Sequence, residues 1–364
     1  MSLLTQLDQF QPGELNSYVQ NREYPTQLGE ALFPNIKQES GELRYIKGAN
    51  GLPVSASVHA LDTESEIASR DALQVVTGKI PLIKRKIGVN EESLLQLSNF
   101  RQNSPAFQSI IDTVYNDVDN MVKAVQTRIE RFRYEALATG SIDIQGENGV
   151  TYKLDYGLDK EHQIAEVQEK WDAKDSNPLR DLMDAVIALQ GQGFTPTRVL
   201  TSTRVVAALC RNEAVQSALG RGTADARPAT LPEINNLFQA TGLPQIATED
   251  RRYRVQQADG TYKTERYIPD DVVIVLPDGT LGQTVFAPTP EEIALRSNPS
   301  VQLGAVGNII TEIYDENVDP VATYTKAVAR ALPSFERADE ILILNAAVGT
   351  PTTTSSRATS STGK

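Results

Sequence analysis

Ser104-Pro-Ala-Phe-Gln-Ser-Ile-Ile-Asp-Thr-Val-Tyr-Asn-Asp-Val-Asp-Asn-Met-Val-Lys-Ala-Val-Gln-Thr-Arg-Ile-Glu-Arg-Phe-Arg-Tyr-Glu-Ala-Leu-Ala-Thr-Gly140 is the stretch that decides the fold. Its apolar residues stand at Phe107, Ile110, Ile111, Val114, Val118, Met121, Val122, Val125, Ile129, Phe132, Ala136 and Leu137. They recur every three or four residues, so in a helix they form one continuous stripe. Ser104 can cap the start, Pro105 suits the first helical position, and Gly140 can adopt the left-handed conformation that ends a helix. At 1.5 Å per residue the segment runs roughly 50 Å. Helices in compact globules average about three turns, so this one predicts a spine inside an elongated plate. A coiled coil is the rival, weakened because no heptads continue on either side.

Upstream, the first forty residues are polar and broken by Pro12, Gly13, Pro25, Gly29 and Pro34, around a short amphipathic piece from Leu3 to Phe10. With the aromatic-proline patch Ala31-Leu-Phe-Pro34, they read as an extended arm with local anchors. In residues 41 to 89, Val54, Ala56, Val58 and Ala60 alternate with polar neighbours, the period of a strand covered on one face. After the charged stretch from Asp62 to Asp71 comes a second β-rich run beginning at Gln74, in which Pro81 favours an edge position. The pair predicts a long hairpin with a charged tip, which needs a surface to lie upon.

Downstream, two runs flanking Gly146-Glu-Asn-Gly149 give a hairpin signal. Asn177-Pro178 caps a helix ending near Gly191 or Gly193. Arg198-Val-Leu-Thr-Ser predicts a strand, Thr203 to Leu219 a helix, and Asp271-Val-Val-Ile-Val-Leu a buried strand. Arg251-Arg-Tyr-Arg254 mixes basic and aromatic residues. It reads as part of a hairpin turning at Asp259-Gly260 in preference to a nucleic-acid site. Thr323 to Ala331 and Glu340 to Asn345 close the pattern as strands, and the Thr/Ser-rich residues 349–364 predict a disordered tail.

Composition narrows the chemistry. Two histidines, His59 and His162, and one cysteine, Cys210, make no recognisable metal set or thiol dyad. Cys210 lies in an apolar run and reads as a small buried hydrophobe suited to a reducing compartment. The sequence has no phosphate-cradling glycine loop, and no carboxylate pair stands out from a generally acidic chain. No apolar stretch is long enough to span a bilayer, and the opening Met1-Ser-Leu-Leu is no secretory signal. No cofactor is expected. The net charge of −12 disfavours sequence-independent adhesion to nucleic acid but is compatible with a shell around DNA, since a container should not grip its contents tightly.

Taken in order, the segments resemble the major capsid proteins of lambda-like tailed phages, the phage major capsid protein E family. The resemblance rests on Arg128-Ile-Glu-Arg-Phe-Arg-Tyr-Glu-Ala-Leu-Ala-Thr-Gly140 followed by Leu154-Asp-Tyr-Gly157. It is supported by Trp171-Asp-Ala-Lys-Asp-Ser-Asn-Pro178, by Pro196-Thr-Arg-Val-Leu-Thr-Ser with Asn212-Glu-Ala-Val215, and by Pro269-Asp-Asp-Val-Val-Ile-Val and Ala331-Leu-Pro-Ser-Phe-Glu. These motifs span roughly residues 24 to 347, and their order and spacing carry the match.

The resemblance implies an α+β capsid fold. Its parts are an N-terminal arm (1–40), an E-loop hairpin (41–89), a P-domain (90–196) containing the spine at 105–140, an A-domain (197–320), P-domain return strands (321–348) and the tail. It further implies pentamers and hexamers of the chain in an icosahedral virion shell, assembled in the host cytoplasm around double-stranded DNA that is not read by sequence. Scaffolding, portal and decoration proteins are the implied helpers. The expected intersubunit contacts are the basic Lys79, Lys84, Arg85 and Lys86 and the charged Glu64, Glu66 and Arg70. The competing reading of the basic cluster is a solvated sheet edge that resists aggregation. No Lys–Asn cross-linking pair can be matched, so none is expected. The rival functions are an encapsulin-like cellular shell and a small oligomeric hydrolase.

Overall fold

The computed structural model describes residues 18, 22, 27–47, 55–56, 75–89, 104–145, 151–164, 167–221, 227–257, 259–294, 301–316 and 322–348. Its contacts divide the chain into two units. One comprises the described residues of Met1–Asp159, Arg251–Tyr267 and Asp278–Ile341, and the other those of Lys160–Asp250, Ile268–Pro277 and Leu342–Lys364.

The first unit begins with a short helix α1 (Leu28–Leu32) and strands β1 (Asn35–Lys37), β2 (Glu42–Ile46), β3 (Val75–Lys79) and β4 (Leu82–Val89). The spine follows as α2 (Pro105–Thr139), 35 residues long. Ser104 Oγ accepts from Phe107 N at 3.2 Å, and Gly140 closes the helix at φ 66°, as the sequence predicts. Next come β5 (Ser141–Gln145) and β6 (Thr151–Asp155), the hairpin expected around residues 146–149.

The second unit is built from β7 (Gln163–Ile164), α3 (Pro178–Gly191), β8 (Pro196–Thr201), α4 (Thr203–Leu209), α5 (Glu213–Ala218), α6 (Leu231–Thr241) and β9 (Gln245–Thr248). The hairpin β10 (Arg252–Gln256) and β11 (Tyr262–Arg266) returns to the first unit, and β12 (Val272–Pro277) to the second. The chain ends with β13 (Thr284–Ala287), α7 (Pro290–Ala294), β14 (Val301–Val306), β15 (Ile309–Glu316) and β16 (Ala322–Pro333) in the first unit, and β17 (Leu342–Asn345) in the second.

In the first unit α2 lies on a six-stranded sheet centred on β16. Val328 pairs with both Ile310 of β15 and Lys84 of β4, so these strands flank β16 on opposite sides. Ala327, Ala329 and Ala331 alternate along β16 and face the helix, where Met121, Val122, Val125 and Ile129 pack against them with Phe286 and Ile309. Small side chains on the strand let the helix approach closely enough for its branched residues to be fully buried. Each such Val or Ile contributes about 1.5–3 kcal/mol on burial. The first half of the helix continues the seam through Phe107, Ile111, Val114 and Val118 onto Ile313.

Residues 27–38, within the expected arm, are anchored on their own chain. Strand β1 adds in parallel to β13, and a buried ionic hub ties the segment before it to the spine. Glu130 is fully buried. Its carboxylate accepts from Gly29 N at 2.9 Å, Arg133 at 2.9 Å and Arg251 at 3.1 Å. Arg133 also donates to Asn35 at 2.6 Å and to Thr284 at 2.8 Å, and Arg251 donates to Gln27 and Tyr134. Residues 1–10 lie outside those described.

The second unit holds a five-stranded mixed sheet in the order β7-β17-β12-β8-β9, with β12 at its centre. Helices α3 to α6 and Trp171 enclose one core with Val199, Val273, Val275, Leu342 and Leu344. The predicted helix over 203–219 is broken at Asn212. Its Oδ1 caps α5 by accepting from Ala214 N and Val215 N, while its Nδ2 donates to Trp171 O and to Ser176 O and Oγ. A buried side chain satisfied in this way favours a fresh helix start over continuation. Cys210, just before the break, is half-buried, not enclosed as expected.

The expected domain boundaries at 196/197 and 320/321 do not coincide with the two units. Helix α3 and Trp171 complete the second core, so that unit starts near residue 160. Strands β13 to β15 are hydrogen-bonded to β16 or to each other and belong to the first unit, whereas β17 pairs with β12 and does not return to the first.

Candidate assembly surface

The segment expected to reach neighbouring copies folds differently from one hairpin over residues 54–87. Strand β2 pairs with β3, with Glu42 opposite Lys79, Arg44 opposite Thr77 and Ile46 opposite Val75. Strand β4 leaves this hairpin and joins the large sheet. Pro81 stands between the two, where a missing N–H interrupts neither ladder. Apart from Ser55 and Ala56, residues 48–74 lie outside those described, and with them Glu64, Glu66 and Arg70.

The base of the β2–β3 hairpin is seated on its own chain. Leu43, Val76 and the following Ile80 are buried. A Cβ at Gly78 would lie 2.8 Å from the Tyr152 hydroxyl and 3.2 Å from Leu154, so this glycine lets the hairpin rest directly on β6. Lys47 is buried and reaches Asp339 at 2.6 Å and the carbonyl of Gly157. Arg330 closes the base, donating to the carbonyls of Gly41 at 3.2 Å, Ile80 at 3.4 Å and Pro288 at 3.2 Å. The opposite face presents Ile46 and Val75, 54% and 47% exposed, as an uncovered apolar pair. An Arg330→Ala substitution is expected to cost about 1–3 kcal/mol, since three carbonyls lose a charged donor. Amide exchange should then accelerate in β2 and β3 while α2 keeps its protection. Unchanged exchange at Leu43 and Val76 would show that the apolar seat alone holds the base.

Strand β4 is a sheet edge, with β16 as its partner among the described residues. Its alternation sorts the basic cluster between two faces. Ile83 packs toward α2, and Val89 joins the same apolar side. On the other face Lys84 and Lys326 both reach Glu291 Oε1, at 2.9 and 2.8 Å, and Lys326 also pairs with Glu312. Burial pushes the Glu291 carboxyl up, but the two lysine donors outweigh it and hold it below the ordinary carboxylate value. Lys86 lies 4.3 Å from the Tyr324 ring centroid. Arg85 donates to Gln256 at 3.1 Å, and Lys79 is exposed at the end of β3. Lys84, Arg85 and Lys86 therefore all have partners within the chain.

Glu291, Glu312, Lys326 and Arg330 were not singled out by the sequence reading. One signal was present. A charge inside an alternating apolar strand, as in Ala327-Val-Ala-Arg330-Ala-Leu, must find buried partners. Among the described residues no group of acidic, histidine or cysteine side chains could hold a metal ion, and no helix is long and apolar enough to cross a membrane.

Comparison with known proteins agrees with this geometry. A crystal structure assigned as a prophage capsid protein of E. coli CFT073 superposes with a TM-score of 0.59 at 14% identity, covering 93% of this chain and 99% of that one. A phage-related protein from Bordetella bronchiseptica RB50 gives a TM-score of 0.51 at 12% identity, covering 92% and 96%. At these identities the likeness shows the fold. No curated protein matches by sequence. The sequence model for the phage major capsid protein E family matches residues 13–346. The long spine on its sheet, the seated hairpin and this match across nearly the whole chain place the protein in the phage major capsid protein E family, whose members form the shell of the phage head.

Proposed function

We propose that the chain assembles as pentamers and hexamers into an icosahedral head around double-stranded DNA, in the cytoplasm of a bacterial host. Scaffolding, portal and decoration proteins act in its assembly. The family match over residues 13–346 carries the reading. On it, the unit around β12 is the axial domain and the unit around α2 the peripheral one.

The β2–β3 hairpin offers a physical route to such contacts. Its base is fixed by Arg330 and Lys47, while Ile46, Val75 and Lys79 face outward from it. A fixed base with an uncovered apolar and basic outer face suits a modest heterologous contact, repeated around a ring until it closes. Glu64, Glu66 and Arg70, in the stretch between the strands, supply charges that set orientation more than affinity. Each contact can be weak because multivalency stabilises the whole.

Electron microscopy of the protein expressed alone, with nucleic-acid content recorded, tests this. Shells, tubes, or rings of five and six subunits are expected. A uniform monomer or dimer at all salt and protein concentrations, with and without co-expressed scaffold, would overturn it.

A further inference from the structure

The β10–β11 hairpin separates its residues by charge between two faces. Arg252 stands opposite Arg266, Arg254 opposite Thr264 and Gln256 opposite Tyr262. Directly opposed residues of an antiparallel pair share a face, and so do every second residue along a strand. These six therefore lie together, and none is acidic. Tyr253, Val255, Lys263 and Glu265 occupy the other face, where Glu265 accepts from Tyr253 and Lys263, both at 3.0 Å. There the Tyr253 ring also lies 5.6 Å from the Arg131 guanidinium of α2, so this face is turned toward the spine.

The acid-free face is exposed at Arg252, Arg254, Gln256, Tyr262 and Thr264. The Arg254 guanidinium lies 5.2 Å from the Tyr262 ring centroid. Arg85 of β4 reaches Gln256 at 3.1 Å and brings a further guanidinium beside the face. In a chain of net charge −12 this is a local reversal of sign.

We propose that this face docks on the phosphate backbone of double-stranded DNA. The inference rests on the reading that the shell encloses DNA, and it names the surface that meets it. Arg, Gln, Thr and Tyr are the side chains that contact phosphate and sugar without reading sequence. Guanidinium forks match phosphate oxygens in pairs. An interface with another protein would present an apolar centre, whereas the one ring on this face, Tyr262, stands beside Arg254 among basic and polar side chains. The grip is light. Counting Arg85, Arg252 and Arg254 as three neutralised phosphates, the affinity should fall with a log–log salt slope of about −2.7, roughly 40-fold between 50 and 200 mM salt. A container can hold its contents loosely at many such points and still release them.

Fluorescence anisotropy of the full-length protein with a labelled 20-base-pair duplex of mixed sequence, over a salt series, reads this directly. The wild-type slope should be about −2.7, and the Arg252→Gln/Arg254→Gln variant should retain about −0.9. A Lys123→Gln/Lys153→Gln variant removes the same charge from exposed positions elsewhere in the unit and should bind as wild type. Equal losses in both variants, or no salt-dependent binding by the wild type, would overturn the proposal. So would an Arg252→Gln/Arg254→Gln protein that binds the duplex normally but fails to form particles by electron microscopy, which would make the face a contact between copies. Particle formation by the wild type tests the underlying shell reading separately from the duplex result.

Discussion

Glu130→Ala is expected to cost about 3–5 kcal/mol of stability, read as a drop in the urea midpoint followed by circular dichroism. The carboxylate is fully buried and accepts from two guanidiniums and one backbone amide. Removing it leaves the Arg133 charge, itself 4% exposed, without its ion partner. Arg251 loses the same partner but keeps its bond to Tyr134 at 3.0 Å and its place beside the Tyr267 ring. The break should therefore fall on the joint between α2, β1 and α1. The charge-removing, shape-keeping Glu130→Gln should lose somewhat less, since an amide oxygen can still accept from Gly29. A cost below 1 kcal/mol for both would mean that packing of the spine on β16 dominates this joint and that the hub adds little.

Trp171→Ala should be of similar size in the other unit, about 3–5 kcal/mol, because a large side chain leaves a cavity that its neighbours fill only in part. Trp171 is fully buried and donates from its ring nitrogen to Asp181 at 2.8 Å. Burial pushes the Asp181 carboxyl up, and the indole donor opposes that shift. The main chain of Trp171 is also engaged, donating to Ala346 O at 3.2 Å and accepting from Asn212. The residue thus joins the segment after β17 to the first turns of α3 and the start of α5. As Trp171 is the chain's sole tryptophan, wild-type fluorescence reports this unit while circular dichroism reports the whole chain. A variant with an unchanged midpoint would contradict the cavity argument.

Much of the first unit's spine was legible because its information is local. Ser104, Pro105 and Gly140 act on backbone groups within one turn, and the apolar stripe repeats every three or four residues. Asn177 at the start of α3 and the turn at Asp259-Gly260 were legible for the same reason. The E-loop was legible only as β-structure. Alternation tells a strand that one face is covered but not by what, so the run from Gln74 divides at Pro81, with β3 pairing β2 and β4 pairing β16. The helix over 203–219 failed because apolar spacing continues through Asn212, while the side chain's bonds to Trp171 and Ser176 come from elsewhere in the chain.

By itself, then, the sequence determined much of the order of elements, the spine with its caps, and the family. The spine and its caps depend on neighbours within a few residues, and the family on the order and spacing of motifs along the chain. The tertiary structure alone decided which strands flank β16, where the two units divide, and which charges are buried. Gly29 meets Glu130 across 101 residues and Gly41 meets Arg330 across 289. A buried charge is tolerated only where such a distant partner arrives with the right donor geometry. Nothing in the local pattern of either residue specifies that partner.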